Sequence, residues 1–179
     1  MGSRESKVAD QCHKVVVHLE NEVLKGVLQG YQGHNLDDFL RKQADAQLPV
    51  LRISSLTDDT IREIDIQSTK AVFFVKDFDG DVQHKNLRFY RGAPIMHGVW
   101  LRVEFADGEV MEGLVHNTAR FLLEPGFLMF PTDPYSNNQF VYVVKSWVKE
   151  CNVLGLRNTC NAGLPGICDS ESASGPERG

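Results

Sequence analysis

One short pattern occurs twice in this chain, and it constrains the fold more than any other feature. Laid over itself at a constant offset of 87, the sequence places Val16 on Val103, Glu20-Asn21 on Asp107-Gly108, and Glu22–Leu28 on Glu109–Val115. Each copy reads as a strand, a two-residue turn with an Asn or Gly able to take positive φ, and a return strand interrupted by one glycine, Gly26 or Gly113. A glycine inside a strand marks a bend or bulge of the kind that lets a small sheet curl. At an offset of 79, Ser68–Val75 lies over Trp147–Leu154, with Lys70 and Lys149 in the same place, as expected for the last strand of each half. Hairpin, central strand, strand pair and terminal strand recur in one order, which predicts an internal duplication.

Around these motifs the apolar residues alternate or run in short bursts. They fall at Val15–Val17, Val23–Leu28, Val50–Ile53, Ile61–Ile66 and Ala71–Val75, and again at Val99–Phe105, Val110–Val115, Phe127–Phe130, Phe140–Val144 and Trp147–Leu154. Ten strands are predicted. The best helical stretch is Asn35–Ala46, where Leu36, Phe39 and Leu40 share a face and Asn35 is suited to the N-cap. Gly26 to Lys70 spans 44 positions and Gly113 to Lys149 spans 36, so the first half carries its extra residues around this helix. The expected organisation is a tail over 1–12, a first β half over 13–76, a charged, turn-rich linker over 77–98, a second β half over 99–156 and a Gly/Ser/Pro-rich tail over 157–179.

A net charge of -5 and a pI near 5.7 leave no global basic field for a phosphate backbone or an anionic membrane. The first residues hold no apolar run of signal-peptide length, and no stretch approaches a membrane span, so a cytoplasmic chain without a membrane partner is expected. Cys12, Cys151, Cys160 and Cys168 form no C-x-x-C pair. His13, His18, His34, His84, His97 and His116 include no pair spaced to share a metal. No metal site and no cofactor are expected. Asp77-Phe78-Asp79-Gly80-Asp81 alternates carboxylates like a calcium loop, but its glycine is fourth and its twelfth residue is Arg88, so a solvated turn is the simpler reading. Nucleophile elbows, P-loops and dinucleotide-binding glycine patterns are absent, and no catalytic residue is assigned.

Two segments stand out as ligand-binding candidates. Lys85-Asn86-Leu87-Arg88-Phe89-Tyr90-Arg91 is the one basic stretch with interleaved aromatics, a composition that stacks on bases and grips phosphates. Its Lys85, Arg88, Phe89, Tyr90 and Arg91 are the candidates, set against the simpler account of a segment packed between the halves. Pro131–Asn138 is rich in proline and turn formers, which makes a rigid loop presenting Tyr135 as a contact residue.

Val103–Val115 resembles the first motif of the Sm-like fold, a bent five-stranded SH3-like barrel. The body from Lys14 to Leu154 also resembles an uncharacterised bacterial family that pairs two such halves. The stretches that carry this second likeness are Lys70–Phe78, Val103–Gly113, Phe130–Pro134 with Ser136-Asn137-Asn138, and Val148-Lys149. The resemblance implies a mainly β chain of two tandem, small SH3-like (Sm-like) open barrels related by internal duplication, with one short helix in the first half. Sm-like proteins share an RNA-contacting Asp/Asn loop and an Arg-Gly or Lys-Gly step. This chain has Gly33-His34-Asn35-Leu36, His116-Asn117-Thr118, Lys70-Ala71 and Lys149-Glu150 in those places. The expectation is therefore a non-catalytic binding or regulatory module for a protein or peptide. The alternative is an Sm-like RNA-associated protein that uses the Lys85–Arg91 stretch.

Overall fold

The computed structural model describes residues 13–31, 35–44, 46, 48–80, 98–133 and 135–157. The chain is mainly β, and the described residues form ten strands in one antiparallel sheet. They are β1 (Lys14–Leu19), β2 (Val23–Leu28), β3 (Val50–Ser55), β4 (Ile61–Asp65), β5 (Thr69–Val75), β6 (Gly98–Phe105), β7 (Val110–His116), β8 (Gly126–Pro131), β9 (Asn138–Val144) and β10 (Val148–Arg157). Every strand lies on one of the apolar bursts. Helix α1 (Leu36–Ala44) connects β2 to β3, and the single turn α2 (Arg120–Leu123) connects β7 to β8. Asn35 caps α1 as its side chain predicts: Oδ1 accepts from the Asp38 N–H at 3.1 Å.

The strand order across the sheet is β10-β6-β7-β8-β9-β5-β1-β2-β3-β4. The sheet is open, with β10 at one edge and β4 at the other, and β9 pairs with β5 in the middle. The pairings in the two sequential runs of five strands follow one scheme. Val15 faces Phe74 as Leu101 faces Val153, Gly26 faces Ser55 as Gly113 faces Pro131, and Leu51 faces Ile64 as Phe127 faces Val143.

This register corrects the ungapped overlay of the two hairpins. Val17, not Val16, takes the place of Val103, because the second turn is one residue longer. Leu19 N–H donates to the Glu22 carbonyl, whereas Phe105 N–H donates to the Glu109 carbonyl, both at 2.9 Å. A one-residue slip exchanges the faces of a strand. Burial agrees with the corrected register, since Val15, Val17, Leu101 and Val103 are all fully buried while Val16 is only partly so. Gly108 takes φ of 83°, but Asn21 stays out of the left-handed region.

The interrupting glycines also act differently from expectation. The ladders run through Gly26 and Gly113 without a bulge, and the demand there is for close approach. A Cβ on Gly26 would overlap the Ser54 carbonyl oxygen and Ile53 Cγ2, and one on Gly113 would overlap Met129 and the Phe130 carbonyl oxygen.

Two apolar cores form, and β5 and β9 serve both. Val72 and Phe74 enter a core with Val15, Val17, Leu51, Ile53 and Leu40 of α1, and Tyr142 and Val144 of β9 join them there. Ala71, Phe73 and Val75 point the other way, into a core with Leu101, Val103, Phe105, Met129, Val141 and Val143. A strand buried on both faces has no polar face to alternate with, which explains the uninterrupted run Ala71–Val75. Each fully buried side chain of this kind contributes about 1.5–3 kcal/mol.

Candidate functional site

The start of β5, beside the β5–β9 junction, carries an ion cluster that joins the two runs of strands. Lys70, near the start of β5, is 5% exposed. Its ammonium lies 4.6 Å from the centre of the Phe105 ring. It donates to Asp107 Oδ2 at 2.5 Å and also to Glu109 Oε2, both in the turn between β6 and β7. Burial by itself would lower the Lys70 pKa, but the bonds to Asp107 and Glu109 outweigh it and raise it. Lys70 and the backbone N–H of Glu109 hold Asp107 below the usual carboxylate range. His18 of β1 stacks near Phe73 at 4.5 Å between ring centres, and burial pushes its pKa down.

Beside this cluster opens a cleft of about 330 Å³, with Phe73 and Met111 as apolar lining and Glu109, Glu112, Thr132 and Asp133 as polar lining. Glu112 is nearly buried and accepts from Arg102 Nη2 at 2.7 Å, so its charge is already partnered on one side. Asp133 is buried, and its Oδ1 accepts from the Tyr135 N–H at 2.9 Å. Ser136 N–H donates to the Asp133 carbonyl, and Asn138 N–H donates to Ser136 Oγ, each at 3.1 Å. These bonds stiffen the β8–β9 loop, as its composition predicts. Tyr135, in that loop, is 74% exposed.

The other candidates, Lys85, Arg88, Phe89, Tyr90 and Arg91, lie outside the described residues. Within the acidic turn after β5, Asp77 Oδ1 accepts from Lys14 Nζ at 3.3 Å and from the Phe78 N–H at 2.8 Å, the contacts of a solvated turn. No group of three His, Cys, Asp or Glu among the described residues is arranged to hold a metal. No helix among them is long and apolar enough to cross a membrane.

Sequence reasoning marked Lys70 and Asp107-Gly108-Glu109 as strand and turn positions but did not join them. The available signal was a lone cation opening an otherwise apolar strand, which requires a carboxylate from somewhere. Glu112 and Asp133 gave no local signal, because their proximity depends on β7 lying beside β8.

The model for a family of unknown function, DUF6982, matches residues 11–155. The chain belongs to that family. The match spans both runs of strands. No curated protein and no solved structure matches the chain.

Proposed function

We propose that this DUF6982 chain is a non-catalytic binding module of two like, five-stranded, SH3-like (Sm-like) halves, and that it takes a basic segment of a protein partner in the cleft beside Tyr135. The duplicated-barrel part of this reading is supported by the shared pairing scheme and by the paired close-approach glycines Gly26 and Gly113. The observation that carries the ligand class is the cleft lining. Phe73 and Met111 suit the aliphatic stem of a lysine or arginine, while Glu109, Glu112 and Asp133 suit its charged head. An exposed tyrosine on a stiff loop adds rigid contact area at small entropic cost. The same carboxylates oppose a nucleic-acid backbone, so the protein reading is favoured over the RNA one.

Fluorescence anisotropy with labelled basic, neutral and acidic peptides tests the proposal. Basic peptides are expected to bind, and Asp133→Asn and Tyr135→Ala are each expected to weaken them about tenfold, or about 1.4 kcal/mol. Binding that ignores peptide charge, or that survives both substitutions unchanged, would overturn it.

A further inference from the structure

The two edges of the sheet are unlike one another, and the molecule already shows how two such edges join. At the junction, β9 pairs antiparallel with β5, placing Phe140 opposite Phe74 and Val143 opposite Ala71. The Phe74 and Phe140 rings sit 5.0 Å apart. Under the shared pairing scheme, β4 is to the first run of strands what β9 is to the second, and β10 corresponds to β5. Both β4 and β10 lie at the ends of the described sheet, without a strand partner on their outer sides among the described residues.

We propose that β10 of one copy of this chain pairs antiparallel with β4 of a second copy, in the register of the β9–β5 junction, giving a head-to-tail assembly. Transferring that register sets Val153 opposite Ile61, the counterparts of Phe74 and Phe140. These are two of the most exposed apolar residues, at 63% and 65%, and pairing would cover both. The same register sets Asn152 opposite Arg62 and Cys151 opposite Glu63 and, one residue further along, Lys149 opposite Asp65. No like charges face each other. An unpaired strand edge is a template for a further strand. Two different edges that fit each other make a heterologous contact, which closes into a ring or grows as a filament. The inference rests on the repeat reading for its register.

Sedimentation and light scattering of the full chain across a concentration series test it. The wild type is expected to assemble with rising concentration, and Ile61→Lys and Val153→Lys are each expected to abolish assembly by placing a charge on one edge. Mixing the two variants is expected to restore dimers and nothing larger, because the mixture retains one intact β10 and one intact β4. That rescue separates a lost edge from a lost fold. In a chain with Cys12, Cys160 and Cys168 changed to Ser, Glu63→Cys is expected to cross-link to Cys151 of another copy on mild oxidation, since facing strand residues lie within disulfide reach.

A chain that stays monomeric at all concentrations would overturn the proposal, as would an assembly indifferent to both lysine variants. A monomer that takes a foreign extended peptide on β10 would overturn it in favour of strand addition by another protein. If the chain is monomeric but the β5 and β9 amides are protected from hydrogen exchange, the pairing between copies fails while the repeat reading stands.

Discussion

β5 and β10 hold the same place in the pairing scheme and live in opposite surroundings. Every residue of β5 is buried, whereas β10 is exposed along most of its length. Their sequences differ accordingly. Thr69–Val75 reads TKAVFFV, apolar on both faces after its lysine, and Val148–Arg157 reads VKECNVLGLR, with Glu150 and Asn152 where β5 has Ala71 and Phe73. The difference is what a neighbouring strand does: β9 closes one side of β5 and turns its second face into core. The lysines follow suit. Lys149 finds Glu104 Oε1 within its own run of strands at 2.5 Å. In the matching place beside Lys70 stands His18, and Lys70 takes its carboxylates from Asp107 and Glu109 across the junction.

The comparison can be broken most sharply at its apolar pair. Phe74→Ala is expected to cost about 3–5 kcal/mol, by removing a fully buried ring from the core it shares with Val15, Val17 and Leu40. Val153→Ala on the exposed strand is expected to stay within about 0.5 kcal/mol for the monomer. Urea unfolding of both variants at low protein concentration decides it, and equal losses would mean that β10 is buried in solution.

A smaller contrast is expected between the lysines. Lys70→Met should lose about 1–2 kcal/mol, because it removes a buried charged donor while Asp107 and Glu109 stay accessible to water. Lys149→Met, on the exposed pair, should leave the unfolding midpoint unmoved.

The smallest effect is a slope with pH. The folded His18 prefers to be neutral, so its contribution is complete above its ordinary value of 6.5 and is lost as pH falls below it. Thermal melts from pH 7.5 down to about pH 5 should show the midpoint fall, and His18→Gln should make that fall shallower. His13, which burial also lowers, would supply what slope remains. An unchanged slope in His18→Gln would place the titrating group elsewhere.

The sheet was largely legible in the sequence, because strand formation on a half-buried surface is written locally in period-two alternation and turn residues. Asn35 as a cap and the turn-rich loop of Tyr135 were legible for the same reason: the side chains of Asn35 and Asp133 each accept from a backbone N–H within three residues of themselves. The hairpin overlay missed its one-residue shift because turn length, not strand composition, sets register. The cleft was illegible because Phe73, Glu112 and Asp133 belong to different strands and loops, and no local spacing announces that they meet.

By itself, then, the sequence determined ten strands, one capped helix and two glycine-marked hairpins, since each is a short-range matter of alternation, capping and φ. Only the tertiary structure decided that β9 docks on β5, that Lys70 crosses to Asp107 and Glu109, and that β10 and β4 are left as edges. Those outcomes follow from pairing between segments far apart in the chain, where the contact energy depends on the face and register each strand presents.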